Sequence, residues 1–212
     1  RVCEDGQLRD RYGKLSYVFH MDDLHFFESY THVNIQPGTS FLLACQKEYQ
    51  ELYASLPEFP LSNIWMAKQL AHRLPENSVI HFGILTSLRS WNFFEISKSI
   101  NSACNVGGFG TDGMLSSLLG ASLVHPQKLY FGIVGDLAFF YDMNVLGNRH
   151  FGNNLRIFLV NNGKGCEFTH HLNPGHIFEE NVNPYIAAAG HNGNQSHTLV
   201  RNYAQSLDID YM

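Results

Sequence analysis

No two cysteines in this sequence stand close enough to form a local metal or redox motif. Cys3, Cys45, Cys104 and Cys166 are separated by 42, 59 and 62 residues, which excludes a C-x-x-C zinc hairpin and a disulfide-dense scaffold. That usage predicts a reducing, cytoplasmic setting. Basic residues are also sparse, at 14 Lys+Arg against 19 Asp+Glu for a net charge of -5, and no basic run is interleaved with aromatics. Such a chain is not built to track a phosphate backbone, so no nucleic-acid partner is expected. No apolar run reaches the roughly 18 residues that a membrane span needs, and no charged and apolar leader opens the chain. Internal repeats and low-complexity segments are absent. The first residue is Arg1 rather than Met, from which a piece of a longer chain is expected.

What is present is enough apolar material, 44% of 212 residues, for one fair-sized core and an additional piece. Residues 1 to about 40 mix short β-like runs (KLSYVFHM, HVNIQ) with turn-formers, and LLACQKEYQELYASL at 42–56 has helical spacing. This segment reads as the end of one unit followed by a connecting helix. Beyond Pro57 and Pro60 the pattern becomes regular. Ser62 can cap NIWMAKQLAHRL, SVIHFGI is a β-branched run, and SWNFFEISKSI has helical spacing. A glycine-rich GGFGTDG then leads to the helix-like MLSSLLGASL, the strand LYFGIVG, a helix inside LAFFYDMNVLGNRH and the strand LRIFLVNN. A long polar loop runs from Gly163 to Pro184. The continuous apolar strands are what a parallel sheet covered on two faces requires, so residues 61–212 are predicted to form a doubly wound, mostly parallel α/β domain with helices on both faces.

The chemistry concentrates between Gly132 and Gly165. Gly135-Asp136 ends one apolar run, 24 residues follow, and Asn161-Asn162 ends the next. In an open parallel sheet, ligands bind beyond the carboxyl ends of the strands. Asp136 and Asn161-Asn162 should therefore project into one crevice, where a carboxylate and an amide oxygen beside backbone carbonyls would suit Mg²⁺ bridging a diphosphate. Two other readings stand beside this one. Gly-Asp can be an ordinary strand-to-helix turn, and Asn-Asn a turn after a strand. Alternatively, Gly108-Phe-Gly110-Thr-Asp-Gly113 matches the dinucleotide fingerprint G-x-G-x-x-G, with Asp136 where a ribose-binding acid belongs, which would suit an oxidoreductase. The fingerprint needs a strand feeding its glycines, and SKSINSACNV is too polar to be expected as one.

The joint pattern of Gly135-Asp136, 24 residues and Asn161-Asn162, with a glycine-rich turn one strand earlier, resembles the diphosphate-binding motif of thiamine diphosphate-dependent enzymes. GDL, YDMN, GTDG and QLAHRLPENSVIHFG resemble most the branch of that family serving menaquinone synthesis, over residues 61–212. The resemblance implies that Asp136, Asn162 and the main-chain oxygen of Lys164 ligate Mg²⁺. It implies a cofactor-binding set of Gly135, Asp136, Leu137, Ala138, Asn162, Lys164 and Gly165, with the amides of Leu137 and Ala138 on the diphosphate. Gly110, Thr111 and Asp112 would meet the aminopyrimidine, Thr111 standing where the family has a larger apolar residue. Residues 61–212 would be a C-terminally truncated diphosphate-binding domain, and residues 1–60 the tail of a central domain and its linker helix. The pyrimidine-binding domain would be absent from this chain and supplied by a neighbouring subunit of a homodimer or homotetramer. The implied activity is decarboxylation of a small 2-oxo acid with transfer of the resulting carbanion to an acceptor, and the 212 residues alone would be inactive.

On the substrate side, Arg89 coincides with a carboxylate-binding arginine of that branch and has the fork geometry for the task; as a residue it can equally be a surface charge. The branch's serine four residues earlier is Leu85 here, and its second arginine is Val106. Phe168 falls where the family closes its active site, or is an ordinary packed aromatic. Glu167, His170 and His171 share that loop and can face substrate or solvent. His20, His25, His191 and His197 have no metal-ligand spacing and are read as structural or solvated. A non-catalytic assembly protein with the same cofactor fold is the remaining alternative.

Overall fold

The computed structural model describes residues 1–33, 38–106, 108, 110–189 and 194–212, and its internal contacts divide the chain into Arg1–Leu56 and Pro57–Met212. In the first unit a two-residue strand β1 (Val2–Cys3) pairs in parallel with β2 (Phe19–His20). Helix α1 (Asp23–Glu28) starts at Asp22, whose side chain accepts from the His25 N–H, and Phe26 packs against Phe19 and Tyr30 at ring-centroid distances of 4.9 and 5.0 Å. Helix α2 (Ser40–Ser55) follows the expected helical spacing and buries none of its residues within this chain. KLSYVFHM contributes only β2, because just two of its residues have a neighbouring strand to bond. HVNIQ runs into residues 34–36, which lie outside the described residues, as does His191.

The second unit opens with α3 (Asn63–Leu70), whose first turn is capped as predicted, the Ser62 hydroxyl accepting from Trp65 N–H at 3.3 Å. Then come β3 (Val79–Phe82), α4 (Thr86–Trp91), β4 (Asn101–Cys104), α5 (Met114–Ser122), β5 (Tyr130–Gly135), α6 (Asp136–Asp142) and β6 (Leu155–Val160). The stretch after β6 contains 3₁₀ turns over Cys166–Thr169 and Pro174–Val182, then α7 (Asn183–Ile186), and the unit ends with α8 (Leu199–Ser206). The four strands β3 to β6 form one parallel sheet in the order β4-β3-β5-β6, with helices around it, which is the α/β doubly wound architecture the apolar runs predict.

Two expectations are corrected. SWNFFEISKSI is not a helix. The helical turns come earlier, in α4, and the Ser97 hydroxyl instead bonds Glu76 Oε2 at 2.7 Å, with Ser99 on the same oxygen. Serine hydroxyls that find partners outside the helix offer the backbone an alternative to it. The second correction is β4 itself: SINSACNV does form a strand and does feed the glycine-rich turn. Its polarity is explained by its place at the sheet edge, where three of its four residues are exposed. An edge strand has only one neighbour to satisfy and can present polar side chains to water.

The order of the strands positions the site. From β3 the chain moves outward to β4, returns across β3 to β5, and continues outward to β6. The sheet therefore has a switch point between β3 and β5, where the chain's outward steps reverse direction. Helices α3 and α4 pack together, α5 packs with α6, and right-handed crossovers put these pairs on opposite faces. Packing under β5 is tight. Gly132 stands where a Cβ would meet Leu118 Cδ2 at 2.7 Å and Met114 Cε at 3.4 Å, so α5 lies directly against the strand. Leu115, Leu118, Val134 and Phe139 form the centre of the core.

Candidate functional site

Strands β5 and β6 run in register to their last residues, Gly135 opposite Val160. The chain therefore leaves both at the same level, and Asp136 and Asn162 emerge side by side. Asp136 is 2% exposed and opens α6. Its Oδ1 accepts from its own neighbour Leu137 N–H at 2.7 Å, and its Oδ2 accepts from Gly163 N–H. Burial raises the Asp136 pKa above the ordinary carboxylate range, against the opposing pull of the Gly163, Leu137 and Asn162 amides. A buried carboxylate with neutral donors only is a group that gains from a cation.

The Asn162 carboxamide stands between two environments. One of its terminal atoms is 3.3 Å from Asp136 Oδ2 and 2.9 Å from the Lys164 carbonyl oxygen; the other is 2.9 Å from Cys166 Sγ. With the nitrogen toward Asp136 and Lys164, the amide donates to both oxygens. With the oxygen toward them, the nitrogen donates to Cys166, and three oxygens, carboxylate, amide and carbonyl, converge, with the Gly163 N–H on Asp136 Oδ2 and the Lys164 N–H 3.4 Å from Asn162 Oδ1. The first arrangement satisfies the site by hydrogen bonds alone, and the second offers the hard-oxygen donor set that Mg²⁺ takes. Three ligand types were expected from these positions, and the fold brings all three together. Asn161 is turned away, its amide donating to the Ser196 carbonyl at 3.0 Å.

The Lys164 carbonyl is fixed from outside the motif. Gly165 N–H donates to the Ile186 carbonyl and Ala188 N–H to the Gly163 carbonyl, both at 2.9 Å, making a short antiparallel bridge between Lys164 and Ala187. The Lys164 ammonium reaches Asn183 Oδ1 at 3.0 Å. Gly165 lies close to α6, since a Cβ there would stand 3.0 Å from Leu137 Cδ2 and that side chain would have to give way. Ala138 follows Leu137 in the first turn of α6.

Gly110 leads into a bend over Thr111, Asp112 and Gly113, the last of which has φ 74° and stands at the N-cap of α5. Gly107 and Phe109 lie outside the described residues. Beneath this bend runs a polar chain that sequence reading does not single out. His81 Nε2 and Asn105 Oδ1 are 2.8 Å apart, and Asn105 Nδ2 donates to Ser117 Oγ at 3.4 Å. The only sign of it in the sequence is a histidine inside an apolar strand run. Burial lowers the His81 pKa, and the Asn105 bond opposes that shift.

Arg89, on α4, is not in the oxygen cluster. It borders an open cleft of about 680 Å³ whose lining includes Thr86, Ser90, Phe93, Glu167 and His170. Arg89 Nη1 donates to Glu167 Oε2 at 2.5 Å, joining α4 to the 3₁₀ turn over Cys166–Thr169. Cys166 belongs to both places, lining the cleft and touching Asn162. Phe168 is 43% exposed and is not a packed core aromatic. The His170 and His171 rings pack with centroids 4.4 Å apart, tilted by 33°, and of the two His170 lines the cleft. Leu85 enters α4 with φ 64°, and Val106 is 51% exposed. Among the described residues no cluster of three or more His, Cys, Asp or Glu could hold a metal, and no helix is long and apolar enough to cross a membrane.

No family model matches the chain. It is 31% identical over 211 residues to the 2-succinyl-5-enolpyruvyl-6-hydroxy-3-cyclohexene-1-carboxylate synthase of Phocaeicola vulgatus, covering 100% of this chain and 36% of that protein. The synthase of the same name from Bacteroides fragilis is 34% identical over 175 residues, or 82% of this chain and 31% of the relative. That from Christiangramia forsetii is 37% identical over 131 residues, or 62% of this chain and 22% of the relative. The chain thus spans about a third of the length of the curated relatives it matches. Similarity running the length of the chain, on a parallel sheet that sets Gly135-Asp136 beside Asn161-Asn162, identifies it as a member of the family of 2-succinyl-5-enolpyruvyl-6-hydroxy-3-cyclohexene-1-carboxylate synthases, which are thiamine diphosphate-dependent enzymes.

Proposed function

We propose that residues 61–212 are the Mg²⁺- and diphosphate-binding part of a thiamine diphosphate-dependent enzyme that decarboxylates a 2-oxo acid and transfers the resulting carbanion to an acceptor. Residues 1–60 are then the end of a central domain and its linker. The observation that carries this reading is the pair of distances from one Asn162 amide atom, 3.3 Å to Asp136 Oδ2 and 2.9 Å to the Lys164 carbonyl. A carboxylate, a carboxamide and a carbonyl so placed can offer Mg²⁺ three oxygens once the amide turns its oxygen inward, and a cation there draws in a diphosphate that the Asp136 carboxylate alone would repel.

Asp136, Asn162 and the Lys164 carbonyl hold the metal, and Gly135, Leu137, Ala138 and Gly165 form the walls around the diphosphate. Gly110, Thr111 and Asp112 approach the aminopyrimidine. The cofactor supplies the carbanion chemistry, and the chain's side chains orient and select. Arg89 anchors a second carboxylate on the 2-oxo acid, and Phe168, exposed on the neighbouring turn, closes over the reacting end. The pyrimidine-binding domain of a neighbouring subunit completes the site.

Calorimetry of thiamine diphosphate with and without Mg²⁺ tests the reading. The wild-type protein is expected to bind only with the metal, and Asp136→Ala to weaken binding by more than roughly tenfold. Equal affinity in the two proteins, or binding indifferent to Mg²⁺, would remove the metal assignment.

A further inference from the structure

The cleft beside the oxygen cluster carries a charge arrangement that the cofactor chemistry does not require. Its one arginine, Arg89, is 78 residues from Glu167 in sequence, yet the two side chains meet at 2.5 Å across the cleft wall. The Arg89 side chain is 56% exposed and that of Glu167 25%, so the guanidinium is open to solvent while the carboxylate sits deeper. Other polar lining groups are neutral hydroxyls and amides, from Thr86, Ser90, Asn92 and Thr169, with His170 at the side. A guanidinium offers five donors in a planar fork, and a carboxylate is the partner that fits it. Glu167 supplies such a carboxylate from within the chain.

We propose that Glu167 sets the cleft's selectivity by occupying the Nη1 position of the Arg89 fork, so that a carboxylate ligand takes that position only by displacing it, or else binds the remaining donors beside the Glu167 charge. This rests on Arg89 being the anchor for a ligand carboxylate, as in the functional reading above. An incoming carboxylate either breaks the internal pair or binds the Arg89 donors left free by it, and in both cases it shares the cleft with the Glu167 charge. The cleft consequently binds simple dicarboxylates more weakly than an unpaired Arg89 would. It favours ligands that engage Arg89 and leave Glu167 a donor of its own, such as a hydroxyl or amide beside the carboxylate. Glu167 is one residue from Cys166, which touches the metal ligand Asn162, and Phe168 follows it on the same turn. Displacement of Glu167 therefore acts on the segment that closes over the reacting end.

The test is titration of the 212-residue chain with succinate and with 2-oxoglutarate, followed by amide NMR shifts, in the absence of Mg²⁺ and thiamine diphosphate. The same spectra report whether each variant is folded. Glu167→Gln is expected to tighten dicarboxylate binding by roughly five-fold, the scale of an exposed ion pair. Arg89→Ala is expected to abolish it, alone and combined with Glu167→Gln. Unchanged or weaker binding in Glu167→Gln overturns the proposal, while loss in Arg89→Ala would leave the anchor reading standing. If no protein binds either dicarboxylate, both the anchor and the displacement are refuted, and the Mg²⁺ site, tested separately by calorimetry, is unaffected. If Glu167→Gln gains affinity and thiamine diphosphate still fails to bind, the inference about Glu167 survives and the cofactor reading falls.

Discussion

Leu85 enters α4 at φ 64° and ψ -115°, a backbone conformation that glycine adopts freely and a side chain with a Cβ does not. Strain of this kind costs on the order of 1 to 3 kcal/mol and persists where surrounding structure imposes it. Here the imposed geometry lets Leu88 N–H reach back to the Gly83 carbonyl at 3.1 Å and turns α4 sharply away from β3. Leu85→Ala and Leu85→Gly remove the same half-buried side chain, but only the glycine variant relieves the backbone. Urea denaturation should therefore find Leu85→Gly more stable than Leu85→Ala by about 1 kcal/mol; the reverse order would show that the turn is unstrained. His81 makes a second residue-level prediction. It is 7% exposed and burial lowers its pKa, so the unfolded chain binds more protons than the folded one once the pH falls below the unfolded value of about 6.5. The stability that its neutral form contributes is present above that value and is lost as the pH drops through the folded pKa. His81→Gln keeps a donor toward Asn105 and cannot titrate. Its stability should fall less steeply than that of wild type between about pH 7 and pH 5, measured by urea unfolding across that range, and parallel curves would exclude His81 as a source of acid sensitivity.

Helix α5 begins at Gly113, which has no side chain to cap it, and the missing acceptor comes from another element. Asp142, the last residue of α6, accepts from Ser116 N–H at 2.7 Å and from the Ser116 hydroxyl at 2.6 Å. One carboxylate thus closes the N-terminus of α5 and ties it to α6, beneath the glycine-rich bend. Asp142→Ala should lower unfolding free energy by about 1 to 2 kcal/mol, the usual effect of losing a helix cap. A loss below a few tenths of a kcal/mol would mean that water replaces it. The Gly132 contact with Leu118 and Met114 gives a companion test of the α5–β5 seam. Gly132→Ala should destabilise by about 1 to 3 kcal/mol, because both neighbours are themselves buried and cannot swing aside. β4 is the instructive element of the sheet. Its polarity hides it from a search for apolar runs, although its backbone pairs with β3 along all four residues.

Across the second unit, the strand order sets Gly83 and Gly135 at the ends of neighbouring strands, one leading to Arg89 and the other to Asp136. The oxygen cluster and the cleft are thus two outlets of one switch point, joined through Cys166. The reading proposed above places the pyrimidine-binding domain on a neighbouring subunit. The proposed function therefore predicts that the 212 residues bind Mg²⁺ with thiamine diphosphate and release no carbon dioxide from 2-oxo acids. Measurable release would show that no second domain is needed. For a protein of the relatives' length, Leu85 and Val106 stand where the resembling branch has polar groups. Each unmade hydrogen bond to a substrate costs on the order of 1 to 3 kcal/mol, so isochorismate, the acceptor that the resemblance implies, should on the proposed function be consumed at least roughly 10²-fold less efficiently than by an enzyme keeping those polar groups. Carbon dioxide release from 2-oxoglutarate, with and without isochorismate, checks this; efficient consumption would refute it.

The apolar runs LYFGIVG and LRIFLVNN determined the parallel α/β class, since only strands covered on both faces are continuous in this way. Spacing along the chain also marked Asp136 and Asn162, because a turn at a strand end is a local property that Gly-Asp and Asn-Asn encode directly. Tertiary structure alone gave Asn161 its role: its amide donates to the Ser196 carbonyl and so turns aside from the crevice. It alone joined Arg89 to Glu167, His81 to Asn105 and Asp142 to Ser116. These pairs are 78, 24 and 26 residues apart, and nothing in a side chain's type specifies a partner at that distance. The sheet order β4-β3-β5-β6 chooses them, and that order follows from packing helices on both faces of the sheet rather than from any local preference.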